Sequence, residues 1–239
     1  MLACVPDQPH QRHHTPRCSR MSSTAIERIG IDESGKGDYF GPLVIAAVFV
    51  DATTQDELAL MAVRDSKRIS DGRILELAPD IKTICPHSVI VIGPQKYNDL
   101  YLKIRNLNRL LAWGHAKALE TLLERVSCAR AISDQFGDER LILNALQEKG
   151  RKIVLEQRTK AESDLAVAAA SILARAEFLL RLKRLSEEVG TTLPKGASPA
   201  VELAGRMVVK KHGEQRLGTV AKLHFKTTKA VLGTSPESL

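Results

Sequence analysis

The sequence predicts a single α/β domain preceded by a tail. Three observations carry that prediction. Short β-branched runs alternate with helical stretches along the chain, acidic residues stand at the ends of those runs, and no repeat or linker divides the chain into two large parts. At 239 residues it can bury one substantial core.

The first two strands are read at Ile29 to Ile31 and Leu43 to Val50. They flank a block of two adjacent carboxylates, glycines, a lysine and a proline. Neighbouring side chains on a regular strand point to opposite faces, so Asp32 and Glu33 are expected to share a site only where the strand ends or bends. Helices are predicted over Asp56 to Val63 and Ser70 to Ile84. In the second, Ser70 or Asp71 is the N-cap and Ile74, Leu75, Leu77, Ala78 and Ile81 form one face. Ser88 to Ile92 is a third strand, closed by Gly93-Pro94. A short helix follows at Tyr97 to Leu102 and a long one begins at Asn106. Its apolar stripe runs through Leu107, Leu110, Leu111, Gly114, Ala118, Leu122 and Leu123, with Trp113 and His115 read as packing or edge residues.

A fourth strand, Ala129 to Ser133, delivers Asp134 at its C-terminal end, where open α/β sheets collect ligands. A helix over Asp138 to Lys149 and a fifth strand over Lys152 to Glu156 come next. An alanine-rich helix then starts after Ser163, its expected N-cap, with Glu162 just before it. Another helix, Pro199 to His212, precedes a basic tail holding Lys222, His224, Lys226 and Lys229. The expected boundaries are a disordered tail over 1–24, a catalytic domain over 25–232 and a flexible end over 233–239.

Lys and Arg exceed Asp and Glu by 35 to 28, for a net charge of +7, which favours a polyanionic partner. No stretch approaches the ~20 apolar residues of a membrane span. The four cysteines show no CxxC spacing and read as free thiols in a reducing, cytoplasmic compartment. Cys4 and Cys18 bracket three histidines, but the composition there favours disorder over a zinc site.

Asp32, Glu33, Asp134 and Glu162 all fall at predicted strand ends or a helix start, so a central sheet can bring them together. Their hard oxygens suit Mg²⁺ or Mn²⁺, and two such ions roughly 3.5–4 Å apart would serve an in-line displacement at phosphorus. Taken singly, the Asp-Glu pair also reads as a solvated turn, Glu162 as a capping carboxylate and Lys160 as a solvated lysine. The Gly35-Lys36-Gly37 run is not a P-loop, because no hydroxyl follows the lysine.

The string DESGKGDYFGPLVIAAVFVD resembles the first motif of the type 2 ribonucleases H, and its DYFGP portion looks more like ribonuclease HIII than ribonuclease HII. Later blocks agree in order: DSKRISD, YNDLYLKIRNLNRLLAWGHAKAL, SDQF, TKAESDLAVAAASILAR, LPKGAS and AKLHFKTT. The resemblance implies a ribonuclease H-like fold, a five-stranded mixed sheet flanked by helices. It implies endonucleolytic hydrolysis of the RNA strand of RNA–DNA hybrids, leaving 5′-phosphate and 3′-hydroxyl ends. Asp32, Glu33, Asp134 and Glu162 match the catalytic, metal-holding acids. Gly35, Lys36 and Gly37 match a loop whose backbone meets ribose 2′-hydroxyls. Lys67, Asn106 and Asn108 fall in blocks that the resemblance makes candidate substrate contacts, and Lys160, beside Glu162, is read as offsetting the crowded carboxylates or holding a phosphate.

Family members of the HIII type carry an N-terminal substrate-binding domain, and only about two dozen residues precede the first strand here. Hybrid affinity is then expected from the domain's own basic surface, with strong salt dependence. Two other readings stand beside this one: ribonuclease HII-like incision at single ribonucleotides in duplex DNA, and a non-catalytic nucleic-acid-binding module. The protein is expected to act as a monomer without a membrane.

Overall fold

Two alternations of apolar side chains build the central sheet. In β2 (Leu43–Val50), Val44, Ala46, Val48 and Val50 enter one hydrophobic cluster while Leu43, Ile45 and Ala47 enter another, so both faces of this strand are buried. Strand β1 (Arg28–Ser34) sends Ile29 and Ile31 into the second cluster. The computed structural model describes residues 27–63, 69–135, 140–146 and 150–233. The expected N-terminal tail, Lys67 and the last six residues lie outside them.

The sheet has five strands in the order β3-β2-β1-β4-β5, adding β3 (His87–Ile92), β4 (Arg130–Asp134) and β5 (Val154–Arg158). Strands β1, β2 and β3 pair antiparallel, whereas β4 pairs parallel with β1 and with β5. The sheet is mixed and five-stranded, as the resemblance implies.

Helices cover both faces. On one lie α1 (Ala52–Leu60), α2 (Asp71–Ile84), α6 (Leu165–Glu188), α7 (Pro199–His212) and α8 (Glu214–Val220); α9 (Thr227–Leu232) packs on α7. The other face carries α3 (Pro94–Ile104), α4 (Leu107–Leu123) and α5 (Arg140–Ala145). Among the described residues no helix is long and apolar enough to cross a membrane.

The alanine-rich start of α6 lets it press on β1. A Cβ on Gly30 would lie 2.1 Å from the Ala166 carbonyl carbon, so only glycine permits this approach. That contact fixes α6 against the strand carrying Asp32.

Local chemistry moved several boundaries. Helix α1 starts earlier than the apolar pattern suggests, because Asp51 and Thr54 form a reciprocal capping box. Gly93-Pro94 opens α3 instead of merely closing β3, with proline at the first helical position. Leu75 is 39% exposed, although the rest of the predicted α2 face is buried. Asp164, not Ser163, caps α6: its carboxylate accepts from the Ala166 amide at 2.8 Å and also pairs with Arg28 at 2.7 Å. Ser163 belongs to a preceding 3₁₀ turn, Ala161–Ser163. Lys222 is no part of an exposed basic tail, since it is fully buried.

Candidate active site

Strand β1 runs past the acidic pair: Asp32 pairs with Ala46, Glu33 with Ile45 and Ser34 with Val44. The bend expected at the carboxylates comes only at Gly35, where φ is +89° and a Cβ would lie 2.1 Å from the Pro42 oxygen, so only glycine fits. Asp32 and Glu33 therefore serve opposite faces of the sheet. Asp32 meets the hydroxyl of Ser171 on α6, and Glu33 Oε2 lies 3.0 Å from His115 Nε2 on α4. Both reach one cleft because they stand at the end of the strand.

Asp134 arrives from the parallel neighbour. Ile31 aligns with Ser133, so Asp32 and Asp134 occupy the next rung, at the C-terminal ends of β1 and β4. The cleft, about 460 Å³, is lined by Asp32, Glu33 and Asp134 together with Lys36, Arg175 and Lys195. Asp38 and Ser171 also reach it.

Burial, then the charge of Glu33, push the Asp32 carboxyl up to about 7, against opposing hydrogen bonds from Ser171 and the Glu33 amide and with the smallest contribution from Asp134. Burial would raise Glu33 too, but the His115 hydrogen bond and charge and then Lys36 outweigh it and hold that carboxyl below its usual value. Lys36 Nζ stands 3.6 Å from Glu33 Oε1, so His115 and Lys36 take one carboxylate oxygen each.

Glu162 is not among the residues lining this cleft. It lies half-buried on the 3₁₀ turn, one residue from Ala161, whose amide donates to Asp134 Oδ1 at 3.4 Å. The fourth acid on the cleft wall is instead Asp38. Among the described residues no three His, Cys, Asp or Glu side chains converge closely enough, as they stand, to hold a metal ion. The donors nonetheless fit a hard divalent cation in chemistry. They are carboxylate oxygens, and Asp32 is an acid driven toward protonation by burial and then by the charge of Glu33, a penalty that a bound cation would relieve.

The expected substrate contacts divide. Gly35, Lys36 and Gly37 line the cleft. Asn106 is the N-cap of α4, accepting from the Arg109 amide at 3.0 Å; Asn108 lies half-buried on that helix, and neither lines the cleft. Lys160 is exposed beside the Glu162 turn in the left-handed conformation, φ 57°. His115, Ser171, Arg175 and Lys195 escaped the sequence reading as site residues. For His115 a signal existed: four residues after Leu111 and three before Ala118, it falls on the apolar stripe, where a polar ring needs a buried partner.

The ribonuclease HII family model matches residues 29–228. Ribonuclease HIII of Protochlamydia amoebophila is 51% identical over 205 residues, covering 86% of this chain and 68% of that protein. Ribonuclease HIII of Chlamydia pneumoniae is 45% identical over 217 residues, covering 90% and 73%. The solved structure of Bst-RNase HIII in complex with Mn²⁺ superposes with a TM-score of 0.82 at 35% identity, covering 95% of this chain and 76% of that one. The ribonuclease H2 structure from Pyrococcus horikoshii, 23% identical with a TM-score of 0.72, shows the same fold.

Proposed function

This chain belongs to the ribonuclease HII family and is a ribonuclease H; from that premise we propose that its acidic cleft hydrolyses the RNA strand of RNA–DNA hybrids with two divalent ions, Mg²⁺ or Mn²⁺. Asp32, Glu33, Asp134 and Glu162 would hold them. The observation that carries the reading is geometric: Asp32 and Asp134, at the C-terminal ends of two parallel strands, line one cleft together with Glu33. The Mn²⁺ found with Bst-RNase HIII supports the choice of ion.

Such ions supply activation of a water and stabilisation of the departing 3′-oxygen. The chain's own residues do the rest. Asp32 and Asp134 set the position of the charge-bearing centre through the register of β1 and β4. His115 holds one oxygen of Glu33 from within the core, which keeps that carboxylate ionised and oriented. The Gly35-Lys36-Gly37 backbone, on the cleft wall, would face the ribose, whose 2′-hydroxyl separates RNA from DNA. The products would carry 5′-phosphate and 3′-hydroxyl ends, and the enzyme would act as a monomer in the cytoplasm.

The test is cleavage of an end-labelled RNA–DNA hybrid with Mg²⁺ or Mn²⁺, beside duplex DNA carrying a single ribonucleotide. Asp134→Asn should reduce hybrid cutting at least a hundredfold, on the order of a lost transition-state contact. Wild-type protein that leaves the hybrid intact, or an Asp134→Asn enzyme as fast as wild type, overturns the reading.

A further inference from the structure

Two cations on the cleft wall are tied to one carboxylate from outside the cleft. Asp71, the first residue of α2, accepts a hydrogen bond from Arg175 Nη2 on α6 at 2.6 Å through Oδ1, and a second from Lys195 Nζ through Oδ2. Both cations line the same cleft as Asp32, Glu33 and Asp134. We propose that Arg175 and Lys195 form a phosphodiester-binding site, with Asp71 as the positioning residue that holds both, so that the nucleic-acid backbone is gripped beside the carboxylates.

The triad carries one net positive charge, and the shared carboxylate offsets the repulsion between its cations. As a stabilising device it is weak, because ion pairs this exposed are screened by water and cost side-chain entropy. As an anion site it is well made. A planar guanidinium fork beside a point charge suits phosphate oxygens. The Arg175 side chain is 24% exposed and Lys195 44%, so both reach solvent.

The frame behind them is fixed at three points. Ile74, Leu77, Ala78 and Ile81 of α2 share one hydrophobic cluster with the alanines and Ile172 of α6, which sets Asp71 against Arg175. Beyond α6, the Gly196 amide next to Lys195 donates to Asp38 Oδ1 at 2.7 Å. The Tyr39 amide donates to the Gly196 carbonyl at 2.9 Å. Lys195 is thus stitched to the Gly35–Asp38 loop that forms the rest of the cleft wall.

The ligand class rests on the functional reading above, so binding and cleavage are measured separately. A fluorescently labelled RNA–DNA hybrid is titrated by anisotropy in EDTA across a salt series, with melting curves for every variant. Arg175→Gln and Lys195→Gln should each weaken binding about tenfold and lower the slope of log K against log salt by about 1. Lys82→Gln, on the exposed far end of α2, controls for the loss of one charge and should leave the slope unchanged. Asp71→Asn makes the protein more positive, and bulk electrostatics predicts tighter binding; loss of positioning predicts weaker binding, and weaker is the expected result. Wild-type affinity and slope in both glutamine variants overturn the site, and tighter binding by Asp71→Asn overturns the tether. Should Arg175→Gln not fold, the half-exposed Lys195→Gln decides alone. Wild-type cleavage with Mn²⁺ runs in parallel: a hybrid left uncut removes the functional reading, whereas a cut hybrid with unaffected variants removes only the phosphate site.

Discussion

Glu33 Oε2 lies 3.0 Å from Nε2 of His115, a side chain with no exposed surface. Truncating the ring in His115→Ala leaves a buried carboxylate without this partner, a loss of about 1–3 kcal/mol in unfolding free energy, measurable by urea denaturation at pH 8. His115→Gln, which keeps a donor, should recover part of it. Glu33 is held below its ordinary 4.5, so this stabilisation is complete above that value and disappears as pH falls through the lower folded value. The gap between wild type and His115→Ala should therefore narrow as the pH is lowered below 4.5; a gap that acid leaves unchanged would show that packing, not the carboxylate, is at stake.

Asp32 works in the opposite sense. Its folded value is raised from 3.8 to about 7, so its relative stabilisation of the fold is present below 3.8 and lost as pH rises through 7. At pH 8 without metal the fold carries an ionised, crowded acid, at a cost capped near 4 kcal/mol by ~1.4 kcal/mol per pKa unit. Asp32→Asn, which retains an oxygen for the Glu33 amide, should raise the thermal midpoint in EDTA at pH 8 and abolish cleavage. Adding Mn²⁺ should raise the wild-type midpoint more than that of the variant. A less stable Asp32→Asn protein at pH 8 would refute the assignment.

What the sequence made legible follows from how each signal arises. The presence of the five strands, the placing of Asp134 at the C-terminal end of the fourth and the apolar stripe of α4 are periodic or local signals, and the structure reproduces them, although β1 runs three residues further than its apolar run. The site role of Glu162 came from the resemblance, whereas the local reading misplaced only the helix cap by one residue: Asp164, not Ser163, accepts from the Ala166 amide and also meets Arg28. Arg175, Lys195 and Asp71 could not be grouped from spacing, since 104 and 124 residues separate the two cations from their shared partner. Such groupings belong to tertiary packing, which places α2 across α6, and periodicity within either helix carries no trace of it.

The glycine loop offers a contrast within three residues. Gly35 holds φ +89° against the Pro42 oxygen, whereas a Cβ on Gly37 would meet nothing within 4 Å. Gly35→Ala should cost more than about 1 kcal/mol in stability, from left-handed strain plus the clash. Gly37→Ala should leave stability within about 0.5 kcal/mol of wild type. If Gly37→Ala nonetheless weakens hybrid binding or slows cleavage, its missing side chain serves substrate approach; equal melting of both variants would contradict the strained turn.

Lys222 closes the same loop from beneath. Its ammonium donates to the carbonyl oxygens of Asp38 at 2.8 Å and Gly41 at 2.7 Å, and its side chain is wholly buried. Burial pulls it from 10.5 down to about 7, partly countered by Asp38. Between those values the unfolded chain binds the extra proton, so the stability contributed by Lys222 is full above 10.5 and is lost as pH falls through 7. Lys222→Met should therefore lose ground to wild type as pH rises from 7 to 9.5, by a few kcal/mol at most, in paired urea titrations. A constant gap would mean that the ammonium stays charged across the range. The variant also frees the Asp38 backbone, and Asp38 anchors Gly196 beside Lys195. Hybrid binding in EDTA should weaken along with the loop, linking a buried lysine to the grip on the substrate backbone.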